Sequence, residues 1–539
     1  MGGDRDGLFE DRLWSDSGPN SETADAGLEI LKAGGNAFDA IVAAAFTEAV
    51  VGLSNNGIGG YGGCLVGYSI AENGVVAVDY NSRAPGKASE DMFPIEYAED
   101  GVSYTVPGHI HAHGALSVGV PGVVGGLTLA QERFGVLDLP KVMEPAIQIA
   151  QDGVLIGDGM ANTIANREDT FKNDFPDTAR LLMPNGQPPK AGERLRFPEL
   201  ADTLTQIAAD GADAFYRGET ADKIVACLKR QGGIMEKEDL ANYEARAVKS
   251  LEISYRDYRL YTPPLCSGGL TTFQMLRVLD GFDLSGMQPG DPELYHLFIE
   301  VMKVCWRERL TKLGDPDFVS IDQEAELDDQ RIEVLRERVR TGLQNPEPGE
   351  LIAPEPLGCT IHICAADASG NIVSLTQTHG GGFGSLVAVP DAGFILGHGV
   401  GRFDPRPGWA NSVGPGKQPL HNMCPTLILK DGRPFASIGT VGGRTIVNCV
   451  MQFAVLLTDF GCSIDEALAA PRINCQTVEP LQIEKRAGEN ALERVRELGH
   501  EVNESLRIGG PAHGIVTGNT AGEYHGATDP RGGGKVAVG

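Results

Sequence analysis

The feature that most constrains this chain is an abrupt change of texture at Thr360. Residues 324–356 are strongly charged, poor in aromatics, and end in Asn345-Pro-Glu-Pro-Gly-Glu-Leu-Ile-Ala-Pro-Glu-Pro356. No apolar stripe runs through that ending, so it reads as a charged helix feeding an exposed, flexible linker over residues 343–359. Directly beyond it, 360–366 and 372–378 are β-rich runs joined by Asp367-Ala-Ser-Gly-Asn371, a hairpin signal. Residues 426–429 and 435–438 flank Lys430-Asp-Gly-Arg-Pro434 in the same way, and short β-rich runs are expected at 385–389 and 393–396. In front of the linker, apolar periodicity predicts helices at 22–33, 37–51, 123–134, 139–152, 198–210, 219–231 and 293–312. A hairpin is expected over 64–80 and a strand pair over 248–261. Helices at 444–460 and 464–469 complete the pattern. Length alone would allow three to four domains at about 150 residues each. The texture favours a helix-rich front, a linker and a strand-rich back.

Composition narrows the function. Glycine is 71 of 539 residues, well above the usual value of about 7%. The glycines have no collagen period and cluster at 57–63, 380–384 and 442–443, where a backbone can turn at positive φ or approach a ligand. Lys plus Arg number 45 against 73 Asp plus Glu, a net charge of −28. A surface that acidic argues against nucleic-acid partners and against docking on an anionic membrane. The ten cysteines include no C-x-x-C pair. They read as reduced thiols of a cytoplasmic protein, and Cys359/Cys364 gives only a weak C-x4-C metal pattern. The first residues show no basic region followed by an apolar stretch. A periplasmic or extracellular location stays open if a leader has been removed.

The junction itself carries chemistry. A hydroxyl is a poor nucleophile unless a base takes its proton, and a threonine at a new N-terminus carries that base as its own α-amine. A flexible linker followed by a threonine opening a strand has this layout. His362, two residues on, would share a strand face with Thr360. His109, His111 and His113 could line one face of a strand and bind a metal, but no acidic or Cys partner is close to them in sequence. The 57–63 glycines lack the preceding strand and spacing of a dinucleotide fingerprint.

Taken together, the chain resembles the γ-glutamyltranspeptidase family of N-terminal-nucleophile hydrolases. The resemblance rests on ordered matches from end to end. They include Ala26-Gly-Leu-Glu-Ile-Leu-Lys-Ala-Gly-Gly-Asn-Ala-Phe-Asp-Ala40, Gly57-Ile-Gly-Gly60, Arg83-Ala-Pro85, Gly119-Val-Pro-Gly122 and Leu313-Gly-Asp-Pro316. The strongest are Thr360 to Asn371, Met423-Cys-Pro425, Gly439-Thr-Val-Gly-Gly443 and Gly526-Ala-Thr-Asp-Pro-Arg531. The resemblance implies an α+β fold, a four-layer αββα sandwich formed jointly by two subunits of one self-cleaving precursor. The cut would fall between Cys359 and Thr360, giving a large subunit of 1–359 and a small subunit of 360–539, with a dimer of such heterodimers allowed. It further implies Thr360 as nucleophile, Thr378 bonded to it, and Gly442 and Gly443 as oxyanion donors. No cofactor or metal is implied. For His362 it suggests a structural or self-processing role.

The resemblance breaks where the family recognises a glutamyl group. The carboxylate-binding arginine is replaced by Asn81, with Arg83 two residues on. An asparagine is replaced by Gly380. A glutamine and the ammonium-binding aspartate are replaced by Gly399 and Gly401, and a serine pair by His421-Asn422. An acid that pairs with a substrate ammonium cannot become glycine without leaving that charge unpaired. The expected substrate is therefore a small amide, with His379, His398, Arg402 and His421 suited to an anionic group lacking an α-amine. The stretch between Phe403 and Met423 is shorter than the family's lid loop, which favours hydrolysis over transfer. The alternatives are a true γ-glutamyltransferase or glutathione hydrolase, a hydrolase of anionic amides such as oxamate or of acylated β-lactams, and a non-catalytic relic.

Overall fold

The computed structural model describes residues 15–18, 20–99, 101–353, 358–518, 520 and 522–539. The opening residues and positions 354–357 of the linker, for which expectations were stated, lie outside the described residues. Two large sheets organise the chain. Their strands are, in chain order, β1 (Ser15–Gly18), β2 (Gly62–Ser69), β3 (Gly74–Asp79), β4 (Arg246–Val248), β5 (Leu251–Tyr255), β6 (Tyr258–Thr262), β7 (Cys359–Ala366), β8 (Ile372–Gly380), β9 (Thr426–Lys430), β10 (Arg433–Thr440), β11 (Ala512–Thr517), β12 (Tyr524–Thr528) and β13 (Lys535–Val538). The seven-stranded sheet runs β13-β1-β7-β8-β2-β3-β4 and the six-stranded sheet β12-β11-β10-β9-β6-β5. Strands from before and after Thr360 interleave in the seven-stranded sheet, whereas in the six-stranded sheet β5 and β6 from the front extend a block of four strands from the back. Both halves of the chain therefore contribute strands to each of the two large sheets.

Side-chain alternation on β7 shows how the layers form. Ile361, Ile363 and Ala365 face a core shared with the helix Ala37–Val51 (α1). Every residue of α1 is buried, as its small-residue composition allows, and Asn36 with Asp39 closes a capping box at its start. Cys364 and Ala366 point the other way, into an apolar seam with Leu427, Leu429 and Ile515 of the second sheet. His362 sits in the same seam, its ring stacked 6.5 Å from that of His513. The far side of the six-stranded sheet is covered by Gly269–Leu279 (α2) and Thr445–Thr458 (α3). The helix Gly269–Leu279 and strands β11 to β13 had no counterpart among the expected elements. The runs at 385–389 and 393–396 contract to the two-residue strands Ala388–Val389 and Phe394–Ile395.

The linker differs from its reading as free chain. The charged helix ends at Gln344. Beyond it, Gly349 bridges Val478, the Glu350 amide donates to the Thr477 carbonyl, and the Glu479 amide donates to the Pro348 carbonyl. Ile352 and Ala353 are buried. Their carbonyls accept from Arg406 and Arg444, each at 2.9 Å. Backbone groups paired in this way hold a segment whose side chains alone suggest solvent. Among the described residues, no helix is long and apolar enough to cross a membrane.

Candidate active site

Thr360 lies at the start of β7, where the pairing with β8 slips between Cys359 and Ile361. The slip aims its hydroxyl at Thr378 on β8, with 3.3 Å between the two oxygens. The Thr378 oxygen also accepts the Gly380 amide at 2.8 Å, and its own proton goes to the carbonyl of Cys359. The peptide bond in front of Thr360 is therefore held by the residue that Thr360 contacts. Polar groups chained in this order strengthen one another in a buried setting. The Cys359 thiol donates to Asn55 at 3.0 Å.

Gly442 and Gly443 sit just before α3 with φ of +127° and +65°. Gly358 packs on them so closely that a Cβ there would fall 2.7 Å from the Gly443 amide nitrogen. Four residues foreseen from sequence, Thr360, Thr378, Gly442 and Gly443, thus converge, with Thr378 and Gly443 lining one space of only about 10 Å³ around Thr360. Gly358 lines this space as well.

Arg402 and Asn422 line that space and a second cavity beside it of about 510 Å³. His398 joins them there, its Nε2 3.4 Å from Arg402, and Nδ1 bonded at 3.0 Å to the Ala112 carbonyl. Gly380 lets this happen, because a Cβ there would lie 2.3 Å from the His398 ring at a φ of +98°. Gly401 forms part of the wall, and Gly399 packs on Ser82.

Four expected binding residues are not brought in. Asn81 is fully buried and donates to the Pro419 carbonyl at 2.7 Å. Arg83 donates to the Gly416 carbonyl at 3.1 Å. His379 packs behind the site on Gly57, and His421 offers its carbonyl to Arg309. Their positions in the motifs were legible, but the direction of a side chain was not.

Three residues were missed. Arg309, Arg444 and Tyr61 line the two spaces. Arg309 is held by the carbonyls of Ser267 and His421 and by Thr271 and Asn422. Burial, with Arg444 nearby, lowers its pKa to about 10. Burial pushes the Tyr61 phenol up to about 12 against the pull of Arg402 and Arg309. Arg444 could have been noticed, since a cation at a helix N-cap opposes the helix dipole.

His109, His111 and His113 also line the cavity. His109 ends a 3-10 turn and His111 and His113 follow it in irregular chain, not in a strand, so the alternation behind the metal reading is absent. Burial lowers His111 to about 4 and lowers His113 as well, which leaves both rings neutral near pH 7. Burial likewise holds His398 well below the usual histidine range. Cys359 and Cys364 do not converge: the first bonds Asn55 and the second lies in the inter-sheet seam. Among the described residues, no group of three or more His, Cys, Asp or Glu side chains is arranged to hold a metal. His362 is buried and bonded to Thr376 and Cys364. Burial keeps it neutral, in keeping with a structural role.

The gamma-glutamyltranspeptidase family model matches residues 23–539. The chain belongs to the γ-glutamyltranspeptidase family. Within that family it is 32% identical to the glutathione hydrolase proenzyme of Escherichia coli K12, covering 94% of this chain and 88% of that protein. It is 34% identical to the acylase ACY 1 proenzyme of Pseudomonas sp. SE83, over 91% of this chain and 87% of that one. The crystal structure of cephalosporin acylase from Bacillus halodurans superposes with a TM-score of 0.87 at 28% identity, covering 100% of this chain and 99% of the other. Membership makes the chain an enzyme of the class that hydrolyses C–N bonds, with the mixed helix-and-sheet fold of N-terminal-nucleophile hydrolases.

Proposed function

We propose that this chain is the precursor of an N-terminal-threonine amidohydrolase that cuts itself between Cys359 and Thr360. The large subunit is 1–359 and the small subunit 360–539. The two packed sheets with their outer helices form the family's four-layer αββα sandwich from both. The observation that carries this reading is the chain of contacts from Thr360 through Thr378 to the Cys359 carbonyl. Thr360 Oγ1 attacks that carbonyl carbon, while the Thr378 hydroxyl holds the charge developing on its oxygen. The C–N bond to Thr360 then breaks, and its nitrogen takes the proton that the Thr360 hydroxyl gave up. The resulting ester is hydrolysed by water. Cys359 is left as a carboxylate, and Thr360 with a free amine and hydroxyl.

In the cut enzyme the α-amine, with a reference pKa of about 7.7–8.0, takes the proton of the same hydroxyl. The amides of Gly442 and Gly443 receive the substrate oxyanion at the head of α3, where the helix dipole favours negative charge. Water, rather than an amine, accepts the acyl group. The acyl group itself is anionic and lacks an α-ammonium. Arg402 and Arg309 favour a carboxylate in the adjoining cavity. The position at which the family pairs the ammonium holds Gly401, and the position of its carboxylate-binding arginine holds a buried Asn81 that is bonded elsewhere. A glutamyl group without its ammonium is a glutaryl group, so glutaryl amides are the first substrates to try. The acylase names among the relatives fit this better than a glutathione hydrolase with an intact glutamyl pocket.

Purified protein on a denaturing gel tests the first half. Two bands near two-thirds and one-third of 57.2 kDa are expected, the smaller one beginning Thr-Ile-His-Ile. Thr360→Ala is expected to give one full-length band and a loss of activity of at least about 10⁴-fold. A wild-type band that stays at full length would overturn the reading.

A further inference from the structure

Arg444 follows Gly443 directly, so its backbone adjoins the proposed oxyanion donors, while its guanidinium lines the 510 Å³ cavity. The guanidinium lies 5.8 Å from the Trp306 ring centre, with Arg309 over the same ring at 5.7 Å. One of its nitrogens, Nη1, donates to two neutral oxygens. One is Gln476 Oε1 at 2.8 Å, and the other is the carbonyl of Ala353 at 2.9 Å. Ala353 is itself a wall of the cavity, and it belongs to the linker that runs into the proposed cut. The uncut chain thus lays a backbone carbonyl where a ligand oxygen would meet Arg444.

We propose that Arg444 is a specificity-determining residue which the linker occupies in the precursor and yields to the substrate's acyl carboxylate once the chain is cut. The proposal rests on the reading that an anionic acyl group enters this cavity. Three physical points carry it. An acyl group whose carbonyl sits at Gly442–Gly443 extends past Arg402, which lines both spaces, into the cavity where Arg444 waits. A carboxylate is a far better partner for a guanidinium than a neutral carbonyl, because the bond is charge-assisted and can be bidentate. Finally, the Ala353 carbonyl competes by proximity. Anchored by the Gly349–Val478 bridge on one side and by the intact chain into β7 on the other, it is present at high effective concentration. Cutting at Thr360 removes the second anchor. Maturation then opens the nucleophile and frees a substrate-binding cation in one event.

The test uses processed enzyme and two 4-nitroanilides, one glutaryl and one carrying the terminal carboxamide in place of the carboxylate. Wild type is expected to prefer the glutaryl compound. In Arg444→Gln the anionic-to-neutral ratio of kcat/KM should fall at least about tenfold, mainly through KM, with Arg444→Lys intermediate. Glutarate should also bind the uncut Thr360→Ala chain at least about tenfold more weakly than the processed enzyme. An unchanged ratio in Arg444→Gln, or equal glutarate binding to the uncut chain, would overturn the proposal. So would the failure of both Arg444 variants to process, which would assign Arg444 to the precursor alone. If processed wild type cleaves neither anilide, or cleaves both equally, the anionic-acyl reading itself is what fails.

Discussion

The two halves of the site are built from different materials. Around Thr360 the working parts are backbone and short hydroxyl side chains: a slipped strand register, Thr378, and the paired glycines 442 and 443. The cavity next to it is built from long side chains reaching in from separate elements: Arg309 from a helix, Arg402 from a short 3-10 helix, Arg444 from a helix start and His111 from a turn. A reaction centre made of backbone depends on the fold and resists change. A recognition cavity made of side-chain tips can be refitted position by position. On the reading proposed above, this chain keeps the first and departs from its family in the second. Breaking either half should therefore leave a distinct signature.

The largest expected effect after loss of the nucleophile comes from Gly442→Ala. At φ +127° an alanine is strained, and its Cβ would lie 2.8 Å from the Gly509 Cα and 2.9 Å from the Gly510 nitrogen. The backbone must shift, and the neighbouring amides with it. A fall in kcat of about 10²–10³-fold is expected with both anionic and neutral anilides. An effect confined to the anionic compound would place Gly442 in the cavity instead and blur the comparison.

Thr378→Val comes next. It removes the hydroxyl bonded to the Cys359 carbonyl and to Thr360, yet keeps the β-branched shape that suits the strand. Self-cleavage, followed as two bands appearing over time, should slow about 10- to 100-fold, and Thr378→Ser should restore most of it. Cleavage at the wild-type rate in Thr378→Val would remove Thr378 from the proposed mechanism.

The same contrast explains what could be seen in the sequence. Thr360 and Thr378 lie on one hairpin whose turn is written in Asp367 to Asn371, and the family resemblance named the two as partners. Gly442 and Gly443 were marked by their family motif and by the helix that follows. The long buried helix 37–51 was equally plain from its small residues. Asn81, Arg83, His379 and His421 were named by position and missed by direction. Which carbonyl a buried side chain meets depends on loops such as 416–419, and no local pattern records that. Arg309 looked like one charge among several in Trp306-Arg307-Glu308-Arg309. Only the packing of that helix against the loop at 421–422 makes it a cavity residue. The linker was misjudged for the converse reason, because its backbone bonds to 477–479 leave no mark on its side chains.

The smallest effect separates the halves by acid. Around Thr360 the titrating group of the cut enzyme is the new amine, so activity should rise with pH through about 7.7–8.0. Stability should follow the buried histidines. Burial holds His379 and His421 at about 3, and the Nδ1 of each finds no hydrogen-bond partner among the described residues. In the unfolded chain they titrate near 6.5. Between those values the unfolded state binds more protons than the native one, so stability is complete above about 6.5 and is lost as pH falls toward 3. Each histidine contributes a slope of up to about 1.4 kcal/mol per pH unit. Replacing either by glutamine removes the proton from both states, whatever it does to absolute stability. The fall in urea midpoint between pH 7 and pH 5 should therefore shrink in His379→Gln and in His421→Gln. The rise of kcat/KM with pH should stay where it was, because neither ring reaches Thr360. A shift of that rise in either variant would join the histidines to the reaction centre and dissolve the division between the two halves.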